Sequence, residues 1–428
     1  MLQRYIGLET EFFRRLPDRA GYDSLKDFKH VLQSLQRQQP IARSEHPLRW
    51  FLANGSSISL ELGASADASQ ALFEVATPET LSPRELVTYQ LANEQLLAET
   101  QTGTSELSPG PWMKANFDAT GHILGQHESY DMRIAQGAWL IVWWIGLLSV
   151  VPLLLLYRLT LLIWLAICFC TKKSASELRR ISNGIFSQQT SDSSNNKDIA
   201  ASPTPSMDEQ PAERTELGSI EPSSSTQLAG WNVLWGVEWS PSEWMWVAGG
   251  LRLLHAPLVF YFGLLLKLVA LRPHRKKLSA FLASRCILDG AGYLDDESRF
   301  WISLRAASID RVIGFGSYNK HSPLFRCDPM LRALLDAPAW SFNGYLGLFR
   351  PTQRVELAIG DSGMCQQGQW LRFGATALML DWVEQSKANQ AIELRSVVHA
   401  IQGYARDWML VRSASDKLGN EYKAKDVS

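Results

Sequence analysis

The sequence lacks the two glycine motifs that most often cradle a nucleotide. It contains neither Gly-x-x-x-x-Gly-Lys nor Gly-x-Gly-x-x-Gly, so any ATP chemistry needs another phosphate cradle. Cysteine is scarce: Cys168, Cys170, Cys286, Cys327 and Cys365 form no Cys-x-x-Cys pair. That excludes a disulfide framework and a zinc site of paired thiolates, and it suits a reducing, cytoplasmic setting. Net charge is nearly absent, at −1, so no global field draws the chain to nucleic acid. No apolar signal core opens the sequence, because Arg4, Glu9 and Glu11 interrupt the stretch from Met1 to Phe12.

What is abundant is tryptophan, 16 residues, most of them between Trp139 and Trp246. There the chain turns apolar. Gly137 to Cys170 is almost uninterrupted, broken by Pro152 and Arg158, and Val247 to Leu271 forms a second run with Arg252, His255, Pro257 and Lys267. A membrane span needs about 20 apolar residues, so the expectation is one tilted span in each run. Between them, Ser174 to Gln227 is rich in Ser, Pro, Gln, Asn and acidic residues and cannot bury enough surface to fold alone. Trp231, Trp235 and Trp239, then Trp244 and Trp246, read as a helix at a lipid interface. The basic run Arg272 to Lys277 ends the second span on the cytoplasmic side by the positive-inside rule, whereas Lys172-Lys173 and Arg179-Arg180 pull the other way. Re-entrant or lipid-plane helices remove that conflict.

The flanks read as soluble α/β sequence. Ile6 to Phe12 alternates as a strand, with Ile6, Leu8, Thr10 and Phe12 on one face and Gly7, Glu9 and Glu11 on the other. Two carboxylates about 7 Å apart on one strand face favour a compensating cation, and hard oxygen ligands suit Mg²⁺. Ser24 to Gln39 shows helical spacing at Leu25, Phe28, Val31, Leu32 and Leu35. After the Asn54-Gly55 turn, Ile58, Leu60 and Leu62 alternate with Ser57, Ser59 and Glu61. Leu72 to Glu79 follows, then a helix from Pro83 to about Glu99 with Ser82 as N-cap. Gly125 to Tyr130 sets His127 beside Glu128. Phe300 to Arg305 and Arg354 to Asp361 alternate as strands, and Trp370 to Glu384 reads as an apolar helix. Glu9, Glu11, Glu61, Arg305, Arg354 and Glu356 thus fall on polar strand faces, which could line a curved sheet holding a metal–nucleotide site.

Taken together these segments resemble the Pup ligase and Pup deamidase (depupylase) family. Ile6-Gly7-Leu8-Glu9-Thr10-Glu11-Phe12 is similar to its opening strand. Glu74 to Glu79 is similar to its Pro-Glu-Tyr-x-Thr-Pro-Glu segment, and Gly125 to Tyr130 to Thr-His-Glu-Asn-Tyr. Ser284 to Gly292 resembles an Ala-Gly-Ala-Gly turn, and Arg354 to Asp361 with Leu371 to Asp381 resembles its Ile-Gly-Asp strand and Gly-Thr-Thr-Ala-Leu helix. The resemblance implies an α+β, glutamine-synthetase-like curved antiparallel sheet with helices. Its catalytic domain would be split into residues 1–133 and 278–387 by a hydrophobic membrane insertion, 134–277, with a disordered linker at 174–230. Residues 388–428 would begin a C-terminal domain that is cut short.

By the same resemblance, the protein is a bacterial, membrane-associated enzyme with a cytoplasmic catalytic domain. It uses ATP and Mg²⁺ to act on the C-terminal glutamate or glutamine of a Pup-like protein, with lysine-bearing proteins as the other substrates. Glu9, Glu74 and Glu11 are then the metal ligands, His127, Arg305 and Arg354 the nucleotide contacts, and Glu61 stands at the catalytic aspartate position. The sequence departs from the family at several places: Glu61 replaces that aspartate, Ser59 a tyrosine, Glu356 a histidine and Gly363 an asparagine, and no Thr-Arg-Asp-Glu-Pro-His segment lies near Leu348 to Arg350. A catalytically degenerate relative that binds nucleotide or a Pup-like tag at the membrane is the alternative.

Overall fold

A computed structural model describes residues 4–14, 24–44, 48–62, 71–100, 111–117, 123–187, 233–234, 237–238, 241–316, 321–335, 343–363, 365–385 and 392–427. The chain divides into two compact units: Met1–Leu155 with His255–Ser428, and Leu156–Leu254.

The larger unit is built on a 10-stranded sheet. Its strands in chain order are β1 (Ile6–Arg14), β2 (Ile41–Arg43), β3 (Arg49–Leu52), β4 (Ser57–Leu62), β5 (Ala71–Ala76), β6 (Trp112–Met113) and β7 (Gln126–Arg133), followed by Arg311–Gly314, Pro323–Arg326 and Thr352–Gly360. Across the sheet the order is Arg311–Gly314, Pro323–Arg326, Thr352–Gly360, β7, β1, β5, β4, β3, β2, with β6 paired to β1. Every pairing is antiparallel except that of Arg311–Gly314 with Pro323–Arg326, which is parallel. The α+β architecture expected from the sequence is present, with this one parallel pair at the sheet's edge.

The period-two reading of β1 holds. Ile6, Leu8, Thr10 and Phe12 are buried on the core face. Helix α1 (Ser24–Gln38) lays Phe28, Val31, Leu32 and Leu35 against Phe12, Ile58, Leu60, Phe73 and Val75. Eleven side chains make up this cluster of buried residues, and each stabilises the fold by about 1.5–3 kcal/mol relative to an exposed position. Helix α2 (Pro83–Glu99) starts where expected: the Ser82 hydroxyl accepts the Arg84 N–H at 3.2 Å and proline occupies the first turn.

Behind the sheet's centre lies a second, polar core. Glu128 of β7 accepts two hydrogen bonds from Arg285, both at 2.9 Å, and one from Tyr130 at 2.8 Å, and it pairs with Arg372 at 3.1 Å. Glu128, Arg285 and Arg372 have no exposed surface. The two guanidiniums hold the Glu128 carboxyl below its usual range against the opposing effect of burial. Arg372 comes from the helix Gln366–Gln385 and Arg285 follows the helix Arg272–Ser284, so this network rivets helices to the sheet.

One expected strand is corrected. Phe300–Trp301 is only two residues long, and the chain then turns into a short helix, Leu304–Ala307. Ser303 caps it, its hydroxyl accepting the Ala306 N–H at 3.0 Å. Cap chemistry wins over alternation here because the strand has one partner of two residues and little ladder to lose.

Helix α3 (Ala138–Ser187) covers the first apolar run and continues past Ser174, where a linker was expected, because Glu177, Leu178, Arg179 and Arg180 are strong helix formers. Helix α4 (Pro241–Leu268) covers the second, and α5 (Arg272–Ser284) follows. Among the described residues one helix of 27 residues, Ala138–Trp164, is long and apolar enough to cross a membrane: an 18-residue stretch of it has mean hydropathy 2.4 and is only 22% buried. Leu253–Leu268 is a shorter apolar helix. Within the larger unit α3 and α4 pack closely, since a Cβ on Gly146 would meet Leu265 at 2.3 Å. Within the smaller unit a Cβ on Gly250 would meet the Trp164 ring at 2.5 Å. Residues 188–230, including most of the expected linker, and Trp231, Trp235 and Trp239 lie outside the described residues.

Candidate functional site

Residues directly opposite one another in an antiparallel sheet share a face, so the register alone gathers a charged surface. Glu9 stands opposite His127, and Glu11 opposite Glu74. Glu74 in turn faces Ser59, and Ser59 faces Arg49. On the other side Glu356 faces Ser129 and Arg326. This row lines a cavity of about 280 Å³ bounded by Glu9, Glu11, Glu61, Glu74, Glu356, His127, His321, Arg49, Arg305, Arg326 and Arg332, with Gly316, Ser322, Pro323 and Ala358. Its size lies near the lower end of ligand pockets, about 300–1,000 Å³.

Six of the seven sequence-predicted site residues meet there: Glu9, Glu11, Glu61, Glu74, His127 and Arg305. The seventh, Arg354, shares the face but lines a neighbouring cavity of about 520 Å³. It donates to Ser129 at 2.8 Å, to Glu79 at 3.3 Å and to Glu9 at 3.4 Å, so it restrains Glu9 from the side. His127 and Glu128, neighbours in sequence, part company: His127 faces the cavity and Glu128 the buried core, as strand alternation demands.

The carboxylates are shifted in opposite directions. Burial raises Glu74 well above the ordinary 4.5, and the charges of Glu9, Glu61 and Glu11 add to it, with Arg49 at 3.5 Å opposing. Glu356 is raised by burial and by Glu9. Glu61 stays open to solvent at the cavity wall, yet its enclosed carboxyl and the Glu11 charge raise it as well. Glu11 moves the opposite way. Burial works to raise it, but a hydrogen bond from His127, the charges of His127 and Arg305, and the Gly125 N–H at 2.7 Å bring it below 4.5. Arg305 reaches His127 Nε2 at 3.2 Å, while His127 Nδ1 is buried with no hydrogen-bond partner among the described residues.

Arg305 is placed by Asp361, not by a strand. Asp361 accepts the Arg305 N–H and the Ser303 hydroxyl, each at 3.0 Å, and the Ala291 N–H of the glycine turn at 3.0 Å. The Arg305 guanidinium then spans the carbonyls of Ala358 and Ile123.

The arrangement fits a divalent cation with phosphate. Glu9, Glu11 and Glu74 crowd like charges on one strand face, and the repulsion recorded in Glu74 is what a cation relieves. No three His, Cys, Asp or Glu side chains among the described residues already converge as a metal cage. Arg49, Arg326, Arg332 and His321 were not foreseen from the sequence. Arg49 could have been reached by pairing the strand before the Asn54-Gly55 turn with the one after it.

Comparisons with known proteins bear on the family and the fold. The family model described as Pup-ligase protein matches residues 4–428. A Pup–protein ligase from Bifidobacterium longum subsp. infantis is 29% identical over 138 residues, 30% of this chain and 26% of that protein. A Pup deamidase/depupylase from Mycobacterium tuberculosis is 28% identical over 140 residues, 30% of this chain and 25% of that one. The crystal structure of the ligase PafA in complex with the prokaryotic ubiquitin-like protein Pup superposes with a TM-score of 0.51 at 15% identity. That superposition covers 99% of this chain but 56% of the ligase, so the chain spans little more than half of that protein. The likeness shows a shared fold. With the family model matching nearly the whole chain, this protein belongs to the Pup-ligase protein family.

Proposed function

We propose that this protein is a membrane-tethered, ATP-dependent enzyme that acts on the side-chain carboxyl of the C-terminal glutamate or glutamine of a Pup-like protein. It joins that carboxyl to a lysine of a protein substrate or hydrolyses the corresponding amide. The observation that carries this reading is the cavity itself: five glutamates, four arginines and two histidines gathered over one sheet face by strands, helices and a loop, in a chain of this family. Glu9, Glu74 and Glu11 would hold Mg²⁺, which when bound neutralises phosphate oxygens. Arg305, Arg49, Arg326 and Arg332 supply fixed positive charge where the transferred phosphoryl group carries its negative charge. His127, braced between Glu11 and Arg305, contacts the phosphates. Glu61, accessible to solvent and raised above the ordinary carboxylate value by burial and by the Glu11 charge, is the general base aimed at the incoming amine or water. Arg354 tethers Glu9.

The tether is the α3–α4 pair. Ile141, Ile145 and Leu148 on α3 and Phe260 on α4 are 56%, 60%, 59% and 75% exposed, an apolar surface a bilayer would cover.

The test supplies the protein with Pup ending in glutamate or glutamine, Mg–ATP and a lysine-bearing protein, and reads conjugate or released ammonia by mass spectrometry. Product is expected from the wild type, and Glu61→Gln is expected to lose at least about 10²-fold in turnover with nucleotide affinity retained. Nucleotide binding without any product would leave the degenerate, tag-binding relative as the function.

A further inference from the structure

One imidazole in the cavity wall has no part in the reading above. His321 sits just before the strand Pro323–Arg326 and lines the same cavity as Glu61, Glu9 and Arg326. Its Nδ1 lies 2.7 Å from Asp310 Oδ2. Asp310 is fixed in turn: its Oδ1 accepts the Ser322 N–H at 3.0 Å, its own N–H donates to the Ser322 carbonyl at 3.0 Å, and Arg311 pairs with it at 3.5 Å. The His321 backbone N–H is tied to the Gly316 carbonyl at 3.1 Å. A carboxylate can only accept, so Nδ1 carries the proton and Nε2 of the neutral ring is an acceptor. Among the described residues Nε2 has no hydrogen-bond partner. A carboxylate that fixes the tautomer and orientation of an imidazole is the arrangement by which histidine serves as a proton-transfer group.

We propose that His321, oriented by Asp310, is a further catalytic residue: its Nε2 carries the proton of the amine nitrogen that enters or leaves the reacting carboxyl. This rests on the function proposed above and adds to it the group that handles the amine. In the joining direction a lysine ammonium gives one proton to Nε2. The nitrogen lone pair then bonds the carbon of the acyl phosphate, Glu61 takes the second N–H proton, the carbon–oxygen bond to phosphate breaks, and inorganic phosphate leaves. The imidazolium returns its proton to water. In the hydrolytic direction the same nitrogen takes its proton from Nε2 as it departs. The side chain is 36% exposed, which gives that proton a route to solvent, whereas His127 is enclosed at 4%. An ammonium sheds two protons on its way to an amide, the first to His321 before attack and the second to Glu61 as the bond forms, so the two are not redundant.

Nucleophile choice separates the steps. Lysine must lose a proton before it attacks, whereas hydroxylamine is already neutral at pH 7 and captures an acyl phosphate as the hydroxamate without a base. With the full chain, Pup ending in glutamate and Mg–ATP, His321→Gln is expected to lower lysine conjugation by about 10²-fold while hydroxamate forms at the wild-type rate. Asp310→Asn is expected to show the same split with a smaller loss, and added imidazole to restore conjugation in His321→Gly. Parallel loss of both rates would mean a structural role and overturn the assignment, as would lysine conjugation within about twofold of wild type in His321→Gln. A wild type that forms no hydroxamate removes the proposed function, and the role of His321 with it.

Discussion

Removing one carboxylate from this cavity should stabilise the ligand-free protein and weaken the loaded one. Glu74 is the residue to remove. It stands directly opposite Glu11 with Glu9 on the same neighbouring strand face, and Glu61 follows two positions beyond Ser59 on the other neighbour. Like charges directly opposite in a sheet cost about 0.2–1 kcal/mol each, so these three neighbours together destabilise by roughly 1–2 kcal/mol. Two interactions oppose: Arg49, 35% exposed, lies 3.5 Å away, and Ser59 donates at 3.3 Å. The first, as a partly exposed pair, is worth about 0–1 kcal/mol, and glutamine keeps the second. The balance favours Glu74→Gln by on the order of 1 kcal/mol at neutral pH, a rise of about 2–3 °C in melting temperature for a domain of this size.

The sign with pH follows from linkage. The Glu74 carboxyl is raised in the folded state, so the folded protein holds the proton longer than the unfolded chain does. Its stabilising contribution is complete below the ordinary value of 4.5 and is lost as pH rises through the raised folded value. Melting curves of wild type and Glu74→Gln should therefore coincide near about pH 4.5 and separate toward about pH 8, the variant higher. Adding Mg–ATP reverses the order, because a ligand at about 100 times its Kd stabilises by roughly 2.7 kcal/mol and the variant forgoes most of that gain. A variant less stable than wild type across the whole range without metal, or one with an undiminished response to Mg–ATP, would refute the reasoning.

Two further predictions concern the polar core and the membrane. Glu128→Gln leaves Arg285 and Arg372 as buried charges without their counter-ion, and should cost about 3–5 kcal/mol in urea unfolding; a loss under about 1 kcal/mol would show that the guanidiniums reach water. For the tether, single cysteines at Ser193 and Ser415 should be labelled in intact cells at 193 alone if both apolar runs span, because residues 1–133 and 278–428 contribute to one sheet and must share one side of the bilayer. Labelling at neither site would instead place α3 and α4 on or within one leaflet.

Much of the fold was legible because strand alternation and helix periodicity report burial directly. Ile6, Leu8, Thr10 and Phe12 were read as one face and are buried together, and the α1 spacing at Phe28, Val31, Leu32 and Leu35 matches the residues it buries. The reading failed where an element is too short to have a period. Phe300 to Arg305 alternates over six letters, but the hydrogen bonds made by Ser303 and Asp361 decide its conformation, and Asp361 is remote in sequence. The strand Pro323–Arg326 has only four residues, parallel to one neighbour and antiparallel to the other, so nothing local announced that Arg326 would meet Glu356.

The site divides along the same line. Glu9, Glu11 and Glu61 declared themselves because strands spell out a face in alternate letters, and Glu74 and His127 because their segments resemble a known family. Arg49, Arg326, Arg332 and His321 enter through register and loop closure, which are set by partners elsewhere in the chain. The family departures acquire a physical sense from this. Glu356, where the family carries a histidine, lies 3.5 Å from Arg326 and adds a carboxylate to an already crowded wall. Arg326 is drawn toward Glu356 and Asp328 together, and its guanidinium is held charged by both despite burial. With Glu61 and Glu356 included, five glutamates face four arginines and two histidines, so the cavity wall is nearly balanced in charge rather than stripped of it.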